Sequence, residues 1–271
     1  MPPTPEVDST PARGRVWDWP PADLMERPLP HIDRVTRFFV RVGLRRSLQQ
    51  VIEVRGLEYI EESQDPFLVV ANHSQRFEAV MLPAILMWHR HGRRIYYMAD
   101  WPMMLVPGVG LMYRAGKIIP VFNKSAKPPF LNALKPLYQR RHPGTAWERA
   151  SAILQAGHPV GVFPEGTMNR HPRTLLRGRA GAAMLALENG VPVVPVGIRF
   201  PENDGTQPIG DRDRMTIEVA PPITADADRD GNTVSKRAAV AFHEKIMREL
   251  ERLSGKAWNP RGPRRRIQHV A

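Results

Sequence analysis

Residues 67–88 read FLVVANHSQRFEAVMLPAILMW, and this stretch decides the fold. The run 67–71 is short and entirely apolar, which predicts a buried strand. Polar residues at 72–75 interrupt the run, and 77–88 is long and apolar enough for a helix. A strand that passes through a short polar loop into a helix is the building unit of an α/β domain.

The same alternation continues along the chain. Further strands are predicted at 94–98, 117–122, 160–163 and 193–198, with an edge strand at 215–219. Further helices are predicted at 32–48, from a Thr145–Glu148 capping box to Gly157, at 181–189 and at 238–253. Because strands alternate with helices, we predict an α/β fold with a mixed, largely parallel sheet flanked by helices.

The two ends of the chain differ in composition from the middle. Residues 1–30 are rich in proline and predict an N-terminal arm without regular structure. Residues 31–255 form the predicted domain, and 256–271 form a basic C-terminal tail. The helix at 32–48 carries arginines between its apolar residues and is the amphipathic element at the start of the domain. It either faces the core or lies in a lipid interface.

Charge and composition narrow the function classes. The 39 Lys and Arg exceed the 27 Asp and Glu, for a net charge of +12, and such an excess attracts the phosphates of nucleic acid or anionic lipid. We find no nucleic-acid-binding motif and expect no such partner. The chain has no Cys, which excludes disulfides, thiolate zinc sites and thiol nucleophiles. It shows neither a secretory signal nor an apolar stretch long enough to span a membrane, so we expect a soluble or surface-bound protein.

A histidine and a carboxylate flank the loop after the first predicted strand. His73 would lie at the mouth of the sheet, where α/β proteins bind ligands. Glu78 lies on the first turn of the next helix and can accept a hydrogen bond from one imidazole nitrogen, which leaves the other nitrogen free to act as a base. Within one straight helix the two side chains would point about 140° apart, so the pairing requires His73 to precede the helix.

A second polar turn follows the strand at 160–163. Its residues Glu165, Gly166 and Thr167 are followed by four arginines, at 170, 173, 177 and 179. Backbone N–H groups at a glycine, a hydroxyl and guanidinium groups together suit a phosphate. The alternative is an ordinary turn with solvated arginines.

Four ordered blocks in this chain resemble the glycerolipid acyltransferase family, that of the 1-acylglycerol-3-phosphate O-acyltransferases. The blocks are Asn72-His73-Ser-Gln-Arg-Phe-Glu78, Gly116-Lys-Ile-Ile-Pro-Val-Phe122, Phe163-Pro-Glu-Gly-Thr-Met168-Asn-Arg170 and Val191-Pro-Val-Val-Pro-Val196. They correspond to the family's N-H-x4-D, G-x-x-x-I/P-x-R, F-P-E-G-T-R-S and V-P-I-V-P-V blocks. The resemblance spans roughly residues 55 to 255.

The resemblance implies direct acyl transfer without a metal or cofactor. His73 would take the proton of an acceptor hydroxyl, which attacks the thioester of acyl-CoA or acyl carrier protein, and Glu78 would hold the imidazole. The acceptor is expected to be a lysophospholipid or a glycerol phosphate. The expected substrate-binding residues are Asn72, Lys117, Glu165, Gly166, Thr167, Arg170 and Arg179. The apolar segment 101–113 would shelter the acyl chain or enter the bilayer, with the protein peripheral on the cytoplasmic face of the membrane.

Three positions depart from the family pattern. Glu78 replaces an Asp, and Phe122 and Met168 stand where the family has Arg. Either Lys117, Lys124, Arg170 or Arg179 supplies the missing charge, or the acceptor is not a simple phosphomonoester. Two other hypotheses remain beside acyl transfer: an acyl-thioester hydrolase, in which water replaces the alcohol, and a non-catalytic membrane-surface protein on the same fold.

Overall fold

A computed structural model describes residues 25–225, 229–230 and 233–263. The first 24 residues of the predicted Pro-rich arm lie outside the described residues, as do the last eight residues of the predicted basic tail, which include its arginines at 264–266.

The described chain alternates between strands and helices as the sequence predicts. The helices are α1 (Arg34–Gln50), α2 (Glu78–His89), α3 (Val109–Ala115), α4 (Lys135–Arg141), α5 (Ala146–Gln155), α6 (Gly181–Asn189) and α7 (Lys236–Ser254). The strands are β1 (Val51–Arg55), β2 (Leu68–Ala71), β3 (Tyr96–Asp100), β4 (Ile119–Val121), β5 (Val160–Val162), β6 (Val193–Arg199), β7 (Met215–Val219), β8 (Arg229–Asp230) and β9 (Thr233–Val234). The predicted capping box of α5 is present with both of its hydrogen bonds.

Seven strands form one mixed sheet in the order β1-β7-β6-β2-β5-β3-β4. The five strands from β6 to β4 are mutually parallel, whereas β7 runs antiparallel to β6 and carries β1 alongside it in the same direction. This arrangement confirms the predicted α/β fold with a largely parallel sheet.

The prediction of an edge strand at 215–219 was wrong. Strand β7 pairs with β6 on one side and with β1 on the other. The outer position belongs to β1, which the sequence analysis did not assign. It is a five-residue strand that directly follows α1 and carries charged residues at Glu53 and Arg55, so its apolar signal is weak.

The sheet separates two hydrophobic cores, and β2 contributes to both. Its side chains alternate, with Val69 and Ala71 in the core under α1 and α2, and Leu68 and Val70 in the core under α5, α6 and α7. All four are fully buried, which explains why β2 reads as one apolar run instead of an alternating pattern. The centre of the sheet is therefore closely packed on both faces at the point where the chain enters the 72–75 loop.

Helix α1 carries both core-facing and outward-facing apolar residues. Its core face includes Val40 and Leu44, which are buried, whereas Val35, Phe38 and Val42 are exposed. The helix begins at the N-cap Asp33, whose carboxylate accepts hydrogen bonds from both the backbone N–H and the hydroxyl of Thr36. One apolar face thus anchors the helix while a second faces outward.

Candidate active site

The loops after β2 and β5 leave the sheet at the same edge because these two strands are parallel neighbours. Val70 pairs with Val162 in the ladder, so residues 72–75 and 163–167 begin side by side at the carboxyl ends of the strands. This edge is where open α/β sheets bind their ligands.

His73 and Glu78 are in direct contact. The imidazole Nδ1 lies 2.9 Å from the Oε2 atom of Glu78, and the backbone N–H of Ser74 donates to the same oxygen at 2.6 Å. Glu78 is fully buried and begins α2, while His73 lies in the loop before it, as the spacing requires. Among the described residues, the Oε1 atom of Glu78 has no hydrogen-bond partner.

The His73 ring has one bonded edge and one open edge. An ionised carboxylate can only accept, so in the neutral ring the contact with Glu78 assigns the proton to Nδ1 and the lone pair to Nε2. The side chain is 18% exposed, and no described residue donates to Nε2. The ring packs against Phe163 with 4.6 Å between centroids, which fixes its plane. This geometry leaves Nε2 able to take a proton from a bound molecule.

Glu165 is buried beneath the loop and holds backbone in place. Its Oε1 atom accepts from the N–H of His73 at 3.2 Å, and its Oε2 atom accepts from Leu176 N–H and Asn169 Nδ2, both at 2.8 Å. Burial raises the pKa of Glu165, and these donors together with the Lys256 cation act against that increase. Both oxygens of Glu165 therefore accept hydrogen bonds from the protein itself, whereas the sequence suggested a substrate-binding role for this residue.

The side-chain amide of Asn72 also forms its hydrogen bonds within the protein. Its fully buried amide accepts from Ile198 N–H at 2.7 Å and donates to the Ile198 carbonyl at 2.9 Å. The last ladder pair between β2 and β6 is Ala71 with Val196, so Asn72 extends that pairing beyond the strand end. Its side chain therefore fixes the start of the His73 loop and has no face toward solvent.

The other residues of the predicted phosphate turn lie at the open edge of the site. Gly166 is exposed with φ 66°, and the Nε atom of Arg179 lies 3.8 Å from the position a Cβ would take there. Thr167 is partly exposed, and Arg179 is exposed. Lys124 donates to the Gly166 carbonyl at 2.8 Å and to Asp100 at 2.6 Å, so its charge is already paired. The structure thus brings Gly166, Thr167 and Arg179 together.

Two predicted binding residues are placed differently. The guanidinium of Arg170 pairs with Asp211 at 2.5 Å and donates to the Ile209 carbonyl at 2.6 Å. Both of its terminal nitrogens therefore form hydrogen bonds within the protein. Lys117 lies just beyond α3 with φ 50° and is exposed, and its side chain forms no hydrogen bond or ion pair with the described residues.

Phe122, which replaces a family arginine, is enclosed by its neighbours. Its ring is 6.1 Å from that of Trp101, and the Arg149 guanidinium lies 5.9 Å from its centroid. Arg149 does not replace the missing cation, because it donates to the carbonyls of Pro120, His142, Pro143 and Gly144.

Sequence reasoning missed Lys256 as a site residue by assigning it to the tail. The chain turns back after Gly255, and Ala257 N–H donates to the Arg173 carbonyl at 2.8 Å. This return places Lys256 inside the domain, with Nζ 2.6 Å from the hydroxyl of Ser74. The partners lie 182 residues apart, and no local pattern distinguishes this lysine from the others of the tail.

Over the ranges that the structure describes, no cluster of three or more His, Asp or Glu side chains is arranged to hold a metal ion. The site consists instead of an imidazole–carboxylate pair, a glycine turn and an exposed arginine. An α/β sheet with these groups at its carboxyl edge is suited to proton abstraction from a hydroxyl.

Comparison with known proteins identifies the class. A family model described as Acyltransferase matches residues 51–199, which include His73, Glu78 and the 163–167 turn, and the chain belongs to this acyltransferase family. This confirms the family predicted from the four sequence blocks. Among solved structures, the chain is similar to the crystal structure of the 1-acyl-sn-glycerophosphate (LPA) acyltransferase PlsC from Thermotoga maritima. The two are 23% identical, the match covers 83% of this chain and 81% of that chain, and the TM-score is 0.52, which shows a shared fold. A search of curated proteins found no match.

Proposed function

We propose that this protein is an O-acyltransferase that moves a fatty acyl group from a thioester to a hydroxyl of a lysophospholipid or glycerol-phosphate acceptor. The observation that carries the proposal is the 2.9 Å contact between His73 Nδ1 and Glu78, which leaves Nε2 on the open side of the ring. The donor is acyl-CoA or acyl carrier protein, as the family resemblance implies.

The proposed reaction begins with proton transfer. Nε2 of His73 takes the proton of the acceptor hydroxyl as its oxygen attacks the thioester carbonyl carbon. The ester bond then forms, the carbon–sulfur bond breaks, and the thiolate leaves with the proton that His73 returns. Glu78 stabilises the imidazolium throughout, because its buried carboxylate is poorly screened by water. General-base assistance of this kind contributes about 10²–10⁴-fold in rate.

The acceptor headgroup would bind at the glycine turn. Gly166, Thr167 and Arg179 are the groups at the open edge of the site that can donate to an anionic headgroup. We expect Arg179→Ala to raise the acceptor KM and to leave the donor KM unchanged. Arg173→Ala is a matched control, because that arginine is exposed in the same segment but packs beside Gly205.

Three reactions can be distinguished with the purified full chain. CoA release from an acyl-CoA is measured with and without lysophosphatidate, and the lipid product is identified by mass spectrometry. Release that depends on the acceptor and yields a diacyl product supports the proposal. Release independent of the acceptor indicates a thioesterase, and no release with either donor, acyl-CoA or acyl carrier protein, indicates a binding protein. Either of the last two results contradicts acyl transfer.

A membrane surface is the proposed location of the reaction, on the cytoplasmic face. Apolar side chains are exposed on α1, on α3 and on the segment leading into α4, including Phe38 at 61%, Leu111 at 53% and Phe130 at 73%. Thr36 of α1 donates to the Ala115 carbonyl at the end of α3, and Leu111, Arg114, Tyr138 and Arg141 line one hollow between α3 and α4. We call this surface the α1–α3–α4 face. Exposed apolar groups beside arginines suit an anionic lipid interface.

Vesicle binding tests this location. We expect Phe38→Ser and Phe130→Ser to weaken sedimentation with vesicles containing phosphatidylglycerol. Val240→Ser on α7 should have no effect, although Val240 is also an exposed apolar residue. Equal binding by all three variants would contradict the assignment of the α1–α3–α4 face. In the part of the chain that the structure describes, no helix is both long and apolar enough to cross a bilayer.

A further inference from the structure

Lys256 is a buried cation beneath the loop that carries His73. It follows Gly255 at the end of α7, and its side chain enters the domain with only 2% of the residue exposed. Its ammonium donates to the Ser74 hydroxyl at 2.6 Å and lies 3.5 Å from the Asn169 carbonyl. A fully buried lysine is rare unless it is paired, so its surroundings require an explanation.

The surroundings contain two buried carboxylates. Glu165 of the loop after β5 and Glu78 of α2 both interact electrostatically with Lys256. Burial lowers the pKa of His171 of that same loop, and the charge of Lys256 adds to this decrease. Burial lowers the pKa of the Lys256 ammonium, and the two carboxylates oppose this decrease. Ser74 connects the groups, because its hydroxyl accepts from Lys256 while its backbone N–H donates to Glu78.

We propose that Lys256 is a positioning residue for the reaction, which fixes Ser74 against Glu78 and supplies the counter-charge for Glu78 and Glu165 beneath His73. This inference rests on the proposed acyl transfer. With both carboxylates ionised and the lysine protonated, the three groups sum to one negative charge in a desolvated pocket. That single charge matches the one positive charge that His73 acquires when it takes the acceptor proton.

Loss of the lysine charge should therefore alter both geometry and electrostatics. Without it, the pocket carries two uncompensated carboxylates, and Ser74 loses the partner that orients it. The excess negative charge favours the protonated imidazole, so His73 would become available as a base only at higher pH. A purely structural lysine would alter stability but would not move the pH dependence of catalysis.

Lys256→Met removes the charge with little change in length, and Lys245→Met on α7 is the matched control because Lys245 is exposed. We expect the first variant to lower kcat about tenfold or more, with the acceptor KM nearly unchanged. The acidic limb of its kcat/KM profile should move to higher pH by about half a unit or more. Lys256→Arg should retain more activity than Lys256→Met. An unchanged kcat and pH profile in a folded Lys256→Met would overturn the proposal.

Ser74→Ala tests the same connection without removing a buried charge. We expect a smaller loss of kcat in the same direction, and a double variant with Lys256→Met no worse than Lys256→Met alone. Independent, additive losses would overturn the connection through Ser74. If Lys256→Met does not fold, Ser74→Ala decides the question: a wild-type kcat in the folded variant contradicts the proposal, and a lowered kcat with an unchanged acceptor KM supports it.

A measurement without turnover separates this inference from the proposed function. The ring resonances of His73 are followed by NMR as a function of pH in the wild type and in Lys256→Met, with assignment from His73→Ala. We expect the titration midpoint to move to higher pH in the variant, and identical midpoints would contradict the role of Lys256. If the wild type transfers no acyl group, the proposed function fails, and this titration still tests the charge coupling.

Discussion

Replacing Asn72 by alanine should destabilise the protein without weakening acceptor binding. The amide is fully buried and bonds to both the N–H and the carbonyl of Ile198, at 2.7 and 2.9 Å. The substitution leaves two buried backbone groups unsatisfied, each at a cost of about 1–3 kcal/mol. We therefore expect the free energy of unfolding to fall by about 2–6 kcal/mol for Asn72→Ala.

Asn72→Asp should cost more than Asn72→Ala. The aspartate keeps an acceptor for Ile198 N–H, but it places a second acceptor against the Ile198 carbonyl and brings a charge into the buried site. Urea unfolding monitored by circular dichroism measures both variants, with Asn123→Ala at an exposed position as the control. Wild-type stability in Asn72→Ala, combined with a raised acceptor KM, would refute the structural role and restore the substrate-binding one.

Three further changes probe separate parts of the account. Glu78→Gln should lose most of the transfer rate because it removes the charge, whereas Glu78→Asp keeps the charge and should retain more activity, as measured by acceptor-dependent CoA release. Asp33→Ala removes the N-cap of α1 and should cost about 1 kcal/mol at pH 7. Hydrogen bonds from the Thr36 backbone and hydroxyl lower the pKa of Asp33 to about 2 in the folded protein. The stability that ionised Asp33 contributes is therefore fully present above its pKa in the unfolded chain, about 4, and is lost as the pH falls from about 4 toward 2. The difference in unfolding free energy between wild type and Asp33→Ala should shrink over that range, and a constant difference would contradict this assignment. Gly43→Val should destabilise by about 1–3 kcal/mol in urea unfolding, since even a Cβ at Gly43 would lie 2.5 Å from that of Ala84 on the packed helix α2.

Elements with strong local patterns were predictable from the sequence. Helix α6 ends at Gly190 with φ 65°, as its glycine predicts, and the capping box at Thr145 opens α5. The His73–Glu78 pair could also be predicted from the sequence, because both residues lie within one strand–loop–helix unit and their spacing constrains the geometry. Strand β1 was missed because it forms by pairing with β7, a strand more than 150 residues away in sequence.

The structural contacts of the surrounding polar residues involve distant partners, and this is why the sequence did not reveal them. Asn72 bonds to Ile198, 126 residues away, and Glu165 bonds to the backbone of His73, 92 residues away. Motif membership marks such residues as important but does not distinguish a residue that touches the substrate from one that holds the loop. Lys256 belongs to no motif, and only the return of the chain after α7 brings it under the site.

The role of His73 as the general base is tested by the effect of His73→Ala on acceptor-dependent acyl transfer, measured together with the thermal unfolding of the variant. The pairing of His73 with Glu78 predicts a rate reduced by about 10²–10⁴-fold with an essentially unchanged melting temperature. A folded His73→Ala protein that transfers acyl groups at the wild-type rate would contradict the assignment of the base.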